Sequence, residues 1–263
     1  MTRWAWVAIA VMSRESTNGE FVTLWFWDDA NSNCCASSVD MSCASMWHVG
    51  RGNHEDCAFT NTTVTAISAR HVIYANHFGY AMSTNLIYYF YGQNGHVYTN
   101  RLVAYSDIGL NSDIGIGLLE HDLPEAVRPA AFLPDDFYEY VGNGRLLPVM
   151  TLDQRETAVI HDLNALTMMS ERSSLMSASV STIQARHMFG KSFIGGDFSS
   201  PRFLVANNEL KLLGTLWNGG GGSCCNVTLF KQQILSKMNQ MAPGYSLNIV
   251  DLPVFNKLRG YVE

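Results

Sequence analysis

The sequence predicts a mostly β protein that ends in one amphipathic helix. Only 15% of its 263 residues are charged, against about 25% in ordinary globular domains, and Ser, Thr, Asn and Gly take their place. Those residues favour strands and turns over long exposed helices. The chain also contains many short runs rich in β-branched and aromatic residues, and a helical spacing of apolar residues is clear only once.

The first apolar run extends from Trp4 to Met12. It is too short for a transmembrane helix, which takes about 20 residues, so no membrane span is predicted. A first β-strand is favoured, and the core of a short signal peptide, which would mark an exported protein, is the alternative.

Eight further segments carry the strand pattern, and turn residues separate them. They are Phe21–Trp27, Thr62–Ser68, His71–Ala75, Leu86–Tyr91, His96–Ala104, Gly115–Leu119, Arg202–Ala206 and Lys211–Trp217. The pairs Asn94-Gly95 and Asn207-Asn208 are typical of hairpin turns.

The predicted helix lies close to the end of the sequence. Its apolar residues recur at helical spacing, with a candidate N-cap before them and a stop after them. The apolar residues are Phe230, Ile234, Met238 and Met241, the N-cap is Thr228 and the stop is Pro243-Gly244.

Six cysteines are too few for a disulfide scaffold. One or two disulfides in an exported protein, or buried thiols, are the favoured interpretation. A zinc site built from Cys43, His48, His54 and Cys57 is the alternative, and no metal is predicted.

The charge balance argues against one class of partner. Seventeen Lys and Arg against 23 Asp and Glu give a net charge of −6, and no basic tract is present. Nucleic-acid binding would need such a tract, so we do not expect it.

Three short segments carry the chemistry-bearing residues. In Ala66–Phe78 an apolar strand runs into a small residue, a polar residue and His77. In Asn111–Leu119 an aspartate, Asp113, precedes an apolar strand. Gly195–Pro201 is a glycine turn that a hairpin follows.

Together these segments resemble the trypsin/chymotrypsin-like serine peptidases, over roughly residues 60–240. In that family the base, the buried acid and the Gly-Asp-Ser-Gly-Gly-Pro turn follow in this order. The resemblance implies two antiparallel six-stranded β-barrels, with His77 and Asp113 in the first and the Gly196-Asp197 turn in the second. It implies no cofactor, and its ligand would be a peptide or protein.

The resemblance also implies a role for each residue. His77 would take the proton of a serine nucleophile, and Asp113 would hold the imidazole in the right tautomer. Asp107 is the fallback acid, although the apolar strand follows Asp113 more continuously. The backbone N–H groups of Gly196 and Phe198 would form the oxyanion hole.

The chain departs from the family at the nucleophile. Phe198 occupies the position of the serine, and phenylalanine has neither a proton to give nor a lone pair to attack with. Losing that serine typically lowers turnover by about 10⁶. Ser199 is the fallback nucleophile, but its Cα lies about 3.8 Å further along the chain. The resemblance therefore predicts a hydrolase that is inactive or strongly impaired.

The family's layout also assigns a specificity pocket. Ser192 would lie on its floor, and Leu216, Trp217 and Asn218 along its wall. A neutral floor offers no charge to attract Lys or Arg, so a trypsin-type preference is not expected.

The predicted organisation has four parts. Residues 1–125 form an N-terminal barrel half and 126–148 the connection. Residues 149–228 form a C-terminal barrel half, and 229–263 the helix and tail.

Two other functions stay open at this point. A pseudopeptidase would bind a protein partner without cutting it. An unrelated β-rich binding module would share the motifs only by accident.

Overall fold

The fold is described from a computed structural model. It covers residues 6–11, 21–28, 33–40, 42–46, 63–77, 82, 84, 86–109, 112–135, 147–152, 158–170, 173–182, 187, 189–193, 197, 199–206, 209–217 and 224–250.

The first sheet is a three-stranded antiparallel meander. Its strands are β1 (Trp6–Val11), β2 (Phe21–Asp28) and β3 (Asn33–Asp40), in that spatial order. The strand predicted from the first apolar run is therefore present as β1.

The second sheet has six strands, all paired antiparallel, and curls into a half-barrel. The strands are β4 (Ser45–Met46), β5 (Thr65–Ala66), β6 (His71–Ala75), β7 (Ile87–Tyr91), β8 (Val97–Asp107) and β9 (Ile114–Leu119). Their spatial order is β4-β7-β8-β9-β6-β5, which makes β6 and β9 neighbours. The segments that carry His77 and Asp113 therefore lie side by side.

The third sheet has eight strands. They are β10 (Ala131–Phe132), β11 (Leu147–Leu152), β12 (Ala158–Ser170), β13 (Ser173–Ser179), β14 (Pro201–Ala206), β15 (Glu209–Thr215), β16 (Cys224–Cys225) and β17 (Asn248–Ile249). Their order is β16-β13-β12-β11-β14-β15-β10-β17, and β10 is parallel to both of its neighbours.

The architecture is thus mostly β, with a half-barrel sheet and a C-terminal helix, and is compatible with a chymotrypsin-like fold. Two closed six-stranded barrels stay a prediction, as do the predicted domain boundaries. None of the helices in the described ranges has the length and hydropathy needed to span a bilayer.

Two glycines allow β6 and β9 to pack closely. Tyr74 pairs with Gly115, and Val72 pairs with Gly117. A Cβ added at Gly115 would lie 2.2 Å from Cζ of the buried Tyr74 ring. The absence of a side chain at Gly115 therefore leaves space for the buried ring of Tyr74.

The C-terminal helix begins differently from the prediction. A 3-10 helix (Val227–Phe230) precedes the α-helix α1 (Lys231–Met241). The side chain of Asn226 accepts a hydrogen bond from the Thr228 N–H and caps the 3-10 helix, whereas the N-cap of α1 is Phe230, which makes no side-chain cap bond. The prediction of Thr228 as the N-cap was therefore wrong. The reason is that the 3-10 helix begins at Val227, one turn before Phe230, the first residue with the helical apolar spacing.

A single core joins the half-barrel, the eight-stranded sheet and the helix. It includes Ile73 and Ile116 from the half-barrel, Phe203 from β14, and Ile234 and Met238 from α1. Of the predicted inner face of the helix, Phe230, Ile234 and Met238 are buried, and Met241 is partly buried against the same core.

A buried lysine also fastens the start of α1 to the segment after β10. Lys231 Nζ donates to the Leu133 carbonyl over 2.7 Å and lies 2.6 Å from Asp135 Oδ1. This contact ties the helix to the segment that links β10 and β11.

The alternative zinc site falls largely outside the described residues. Cys43 is buried, whereas His48, His54 and Cys57 lie in a range that the structure does not describe. Elsewhere in the described ranges no three potential metal ligands cluster. The presence of one or two disulfides stays a prediction.

Candidate active site

His77 lies two residues after the end of β6, at the edge of the half-barrel. The strand ends at Ala75, and the next two backbone N–H groups turn toward Asp113. Asn76 N–H donates to the Asp113 carbonyl over 3.0 Å, and His77 N–H donates to Asp113 Oδ1 over 2.6 Å. The main chain around His77 is therefore held by one residue that precedes the neighbouring strand.

The imidazole of His77 is bonded to the same carboxylate. Nδ1 of His77 lies 2.8 Å from Asp113 Oδ2, and the side chains are 34% and 14% exposed. A carboxylate only accepts hydrogen bonds, so in the neutral imidazole Nδ1 carries the proton and Nε2 keeps its lone pair. This arrangement leaves Nε2 able to accept a proton from a third group.

The fallback acid has a different environment. Asp107 is exposed at the end of β8, and its carboxylate accepts a hydrogen bond from Gly109 N–H over 2.9 Å. The carboxylate bonded to the imidazole is that of Asp113.

Residues 199–200, which follow the Gly-Asp motif, lie against the end of β15. Ser199 N–H donates to the Leu216 carbonyl over 2.9 Å, and Leu216 N–H donates to the Ser200 carbonyl over 2.9 Å. Asp197 is buried, with 2% of its surface exposed. Gly196 and Phe198 lie outside the described residues, so their predicted oxyanion and nucleophile positions stay predictions.

Ser199, the fallback nucleophile, is fully buried. Its hydroxyl donates to the Thr63 carbonyl over 2.9 Å and accepts from Ala75 N–H over 3.0 Å. A hydroxyl has one proton, and here that proton is directed to a carbonyl rather than to an imidazole nitrogen. The nucleophile role of Ser199 stays a prediction, and the observed contacts give its hydroxyl another use.

Three of the four predicted specificity residues are described by the structure, and they lie in two different environments. Ser192 is exposed, and Trp217 is 39% exposed. Leu216 is fully buried in a cluster with Val159 and Phe193. Asn218 lies outside the described residues, so a pocket built from all four stays a prediction.

Sequence reasoning missed a buried histidine in the eight-stranded sheet. His161 Nε2 lies 2.8 Å from the Lys191 carbonyl, and its ring packs on Phe193 with centroids 4.7 Å apart. Burial first, and then the charge of Arg202, lower the pKa of His161 to about 4. The signal in the sequence was weak, because Lys191 and Arg202 follow His161 by many residues.

Arg202 itself is fully buried. Its Nε donates to Thr151 Oγ1 over 3.3 Å, and its guanidinium carbon lies 5.6 Å from the centre of the Phe193 ring. The charge of this cation adds to the effect of burial in lowering the pKa of His161.

Comparison of the chain with protein-family models and with curated proteins finds no match.

Proposed function

We propose that this protein has the scaffold of a chymotrypsin-like serine endopeptidase whose nucleophile is replaced by Phe198. The observation that carries the proposal is the pairing of His77 with Asp113, residues 36 positions apart, through both the imidazole and the backbone. A triad needs this pairing, because the acid must orient the base before the base can accept a proton.

The exposure of the pair supports the proposal. His77 is the more exposed partner, which suits a base that must reach a substrate, and Asp113 is the more buried one. A shielded carboxylate holds the imidazole more strongly than one in bulk water.

The second support is the position of Ser199. It follows the nucleophile position directly and bonds to Ala75, two residues before His77. The residue after the nucleophile position and the histidine segment are therefore joined although they lie more than a hundred residues apart in sequence.

The chemistry would follow from these parts. With a serine at position 198, Nε2 of His77 would accept its proton and Asp113 would stabilise the imidazolium. With phenylalanine there, no side chain supplies a nucleophile, and hydrolysis would fall by about 10⁶. The unaltered chain is then inactive or strongly impaired.

The test is the substitution Phe198→Ser, with Phe198→Ala as the matched control. Both variants remove the ring, but only the serine adds a hydroxyl. We expect an active-site phosphonate probe to label Phe198→Ser and to leave the alanine variant and the unaltered chain unlabelled. Intact-protein mass spectrometry measures the added mass.

Each other outcome has a distinct meaning. If no variant is labelled, the endopeptidase proposal is wrong and the partner-binding pseudopeptidase is favoured. Labelling of the unaltered chain that disappears in Ser199→Ala would instead identify Ser199 as the nucleophile.

A further inference from the structure

The side chain of Ser199 makes two hydrogen bonds to the half-barrel. It donates to the carbonyl of Thr63, just before β5, and accepts from the N–H of Ala75, the last residue of β6. The residue is fully buried, so no water competes for these bonds. One hydroxyl thus pairs two backbone groups of the half-barrel that would otherwise be buried without a partner.

The backbone of Ser199 adopts an unfavourable conformation to do this. Its φ is 65°, in the left-handed region where glycine is at ease and other residues are strained. Its N–H is bonded to the Leu216 carbonyl over 2.9 Å, which holds this conformation in place. A glycine would adopt this φ without strain, so what the serine adds at this position is its hydroxyl.

Three consecutive backbone N–H groups, from Ala75 to His77, each donate a hydrogen bond, and the bond of Ala75 is the first of them. Ser199 Oγ holds the N–H of Ala75, the Asp113 carbonyl holds that of Asn76, and the Asp113 carboxylate holds that of His77. Asp113 supplies the second and third contacts, and Ser199 alone supplies the first.

We infer that Ser199 is a positioning residue for His77, and this inference rests on the proposed function. Its hydroxyl fixes the end of β6 relative to residues 199–201, so that the imidazole of His77 stays bonded to Asp113. The hydroxyl acts on the base through the backbone and is not itself the nucleophile.

The test uses Ser199→Gly and Ser199→Ala in the full chain, with Ser200→Ala as the matched control. Glycine removes the hydroxyl and also relieves the backbone strain, whereas alanine removes the hydroxyl alone. Ser200 is equally buried, and its hydroxyl has no hydrogen-bond partner among the described residues. Its removal therefore leaves the contacts around His77 unchanged.

The first readout needs no enzymatic activity. Proton–nitrogen NMR of the imidazole follows the Nδ1–H proton that His77 shares with Asp113, and amide exchange follows Ala75. In both Ser199 variants we expect that proton signal to broaden and the Ala75 amide to exchange about tenfold faster. In Ser200→Ala we expect both to match the unaltered chain.

Two results would overturn the inference. One is a folded Ser199→Gly protein in which the His77 proton signal is unchanged. The other is the failure of both Ser199 variants to fold while Ser200→Ala folds, which would assign the hydroxyl to the stability of the whole fold.

The second readout adds Phe198→Ser to each variant and measures the rate of phosphonate labelling. We expect labelling to be about ten- to a hundredfold slower with Ser199→Gly and unchanged with Ser200→Ala. Equal rates in all three would contradict the inference. If Phe198→Ser alone is not labelled, the proposed function fails, and the NMR result still decides whether Ser199 positions His77.

Discussion

Asp113 and Ser199 are the non-glycine residues with positive φ in the part of the chain that the structure describes, at 54° and 65°. A non-glycine residue held there is strained by about 1–3 kcal/mol, and such strain is concentrated at functional sites. Both residues have side chains that bond to the segment ending in His77. The strain in the described chain therefore lies where the candidate site lies.

At the same scale, Gly115→Ala should lower the free energy of unfolding by about 1–3 kcal/mol. The added methyl would lie 2.2 Å from a ring atom of Tyr74, and the fully packed ring has no free direction in which to move. Urea unfolding followed by circular dichroism measures the loss.

The matched control is Gly117→Ala, on the same strand. There the nearest atom is Cδ1 of Leu102, at 2.5 Å, which is the flexible end of an aliphatic side chain. We expect a smaller loss of stability at Gly117, and an equal or larger one would show that the Tyr74 ring does not determine the packing.

The importance of Asp113 over Asp107 could be predicted from the sequence, because an apolar strand follows Asp113 without a break. The bonds of Ser199 could not be predicted. Their partners Thr63 and Ala75 are 136 and 124 residues away in sequence, and only the tertiary fold brings them close.

At the scale of the element, the start of the C-terminal helix provides a direct test. Asn226→Ala should destabilise the protein by about 1 kcal/mol, because its side chain caps the first turn. Thermal unfolding of Asn226→Ala and of the unaltered chain measures the effect.

Thr228→Val is the control for that cap. The Thr228 hydroxyl is buried without a hydrogen-bond partner in the described residues, so a valine of the same shape should change stability by less than about 0.5 kcal/mol. A larger loss from valine than from the Asn226 change would restore Thr228 as the cap.

Strands with a strong local signal were predictable, and others were not. The strand His71–Ala75 has the predicted bounds, since four of its five residues are β-branched or aromatic. Strands β12 and β13 were missed, because their Leu, Met, Ser and Ala residues fit a helix or a loop equally well. Pairing stabilises them instead, because β12 and β13 pair with each other, β12 also pairs with β11, and β13 also pairs with β16.

At the scale of the whole molecule, stability should fall in mild acid because of His161. Its pKa is about 4 in the folded protein and about 6.5 in the unfolded chain. Below pH 6.5 the unfolded chain therefore takes up a proton that the folded protein refuses. This group should lower the free energy of unfolding by up to about 1.4 kcal/mol per pH unit between pH 6.5 and 4, and by no more below pH 4.

His161→Gln isolates this contribution, and His96→Gln is the control because His96 is exposed. Denaturant unfolding at a series of pH values should give a shallower pH dependence for His161→Gln only. The same slope in the unaltered chain and in His161→Gln would show that the histidine is not held neutral.

The short strand β10 has a consequence for the order of assembly. It lies parallel to β15 on one side and to β17 on the other, so among the described residues the strand partners of 131–132 are 211–212 and 248–249. Pairings this distant along the chain close large loops and form slowly. During synthesis, the contact between His77 and Asp113 would therefore form early. The pairing of β10 would form only after residues 211–212 and 248–249 had been synthesised.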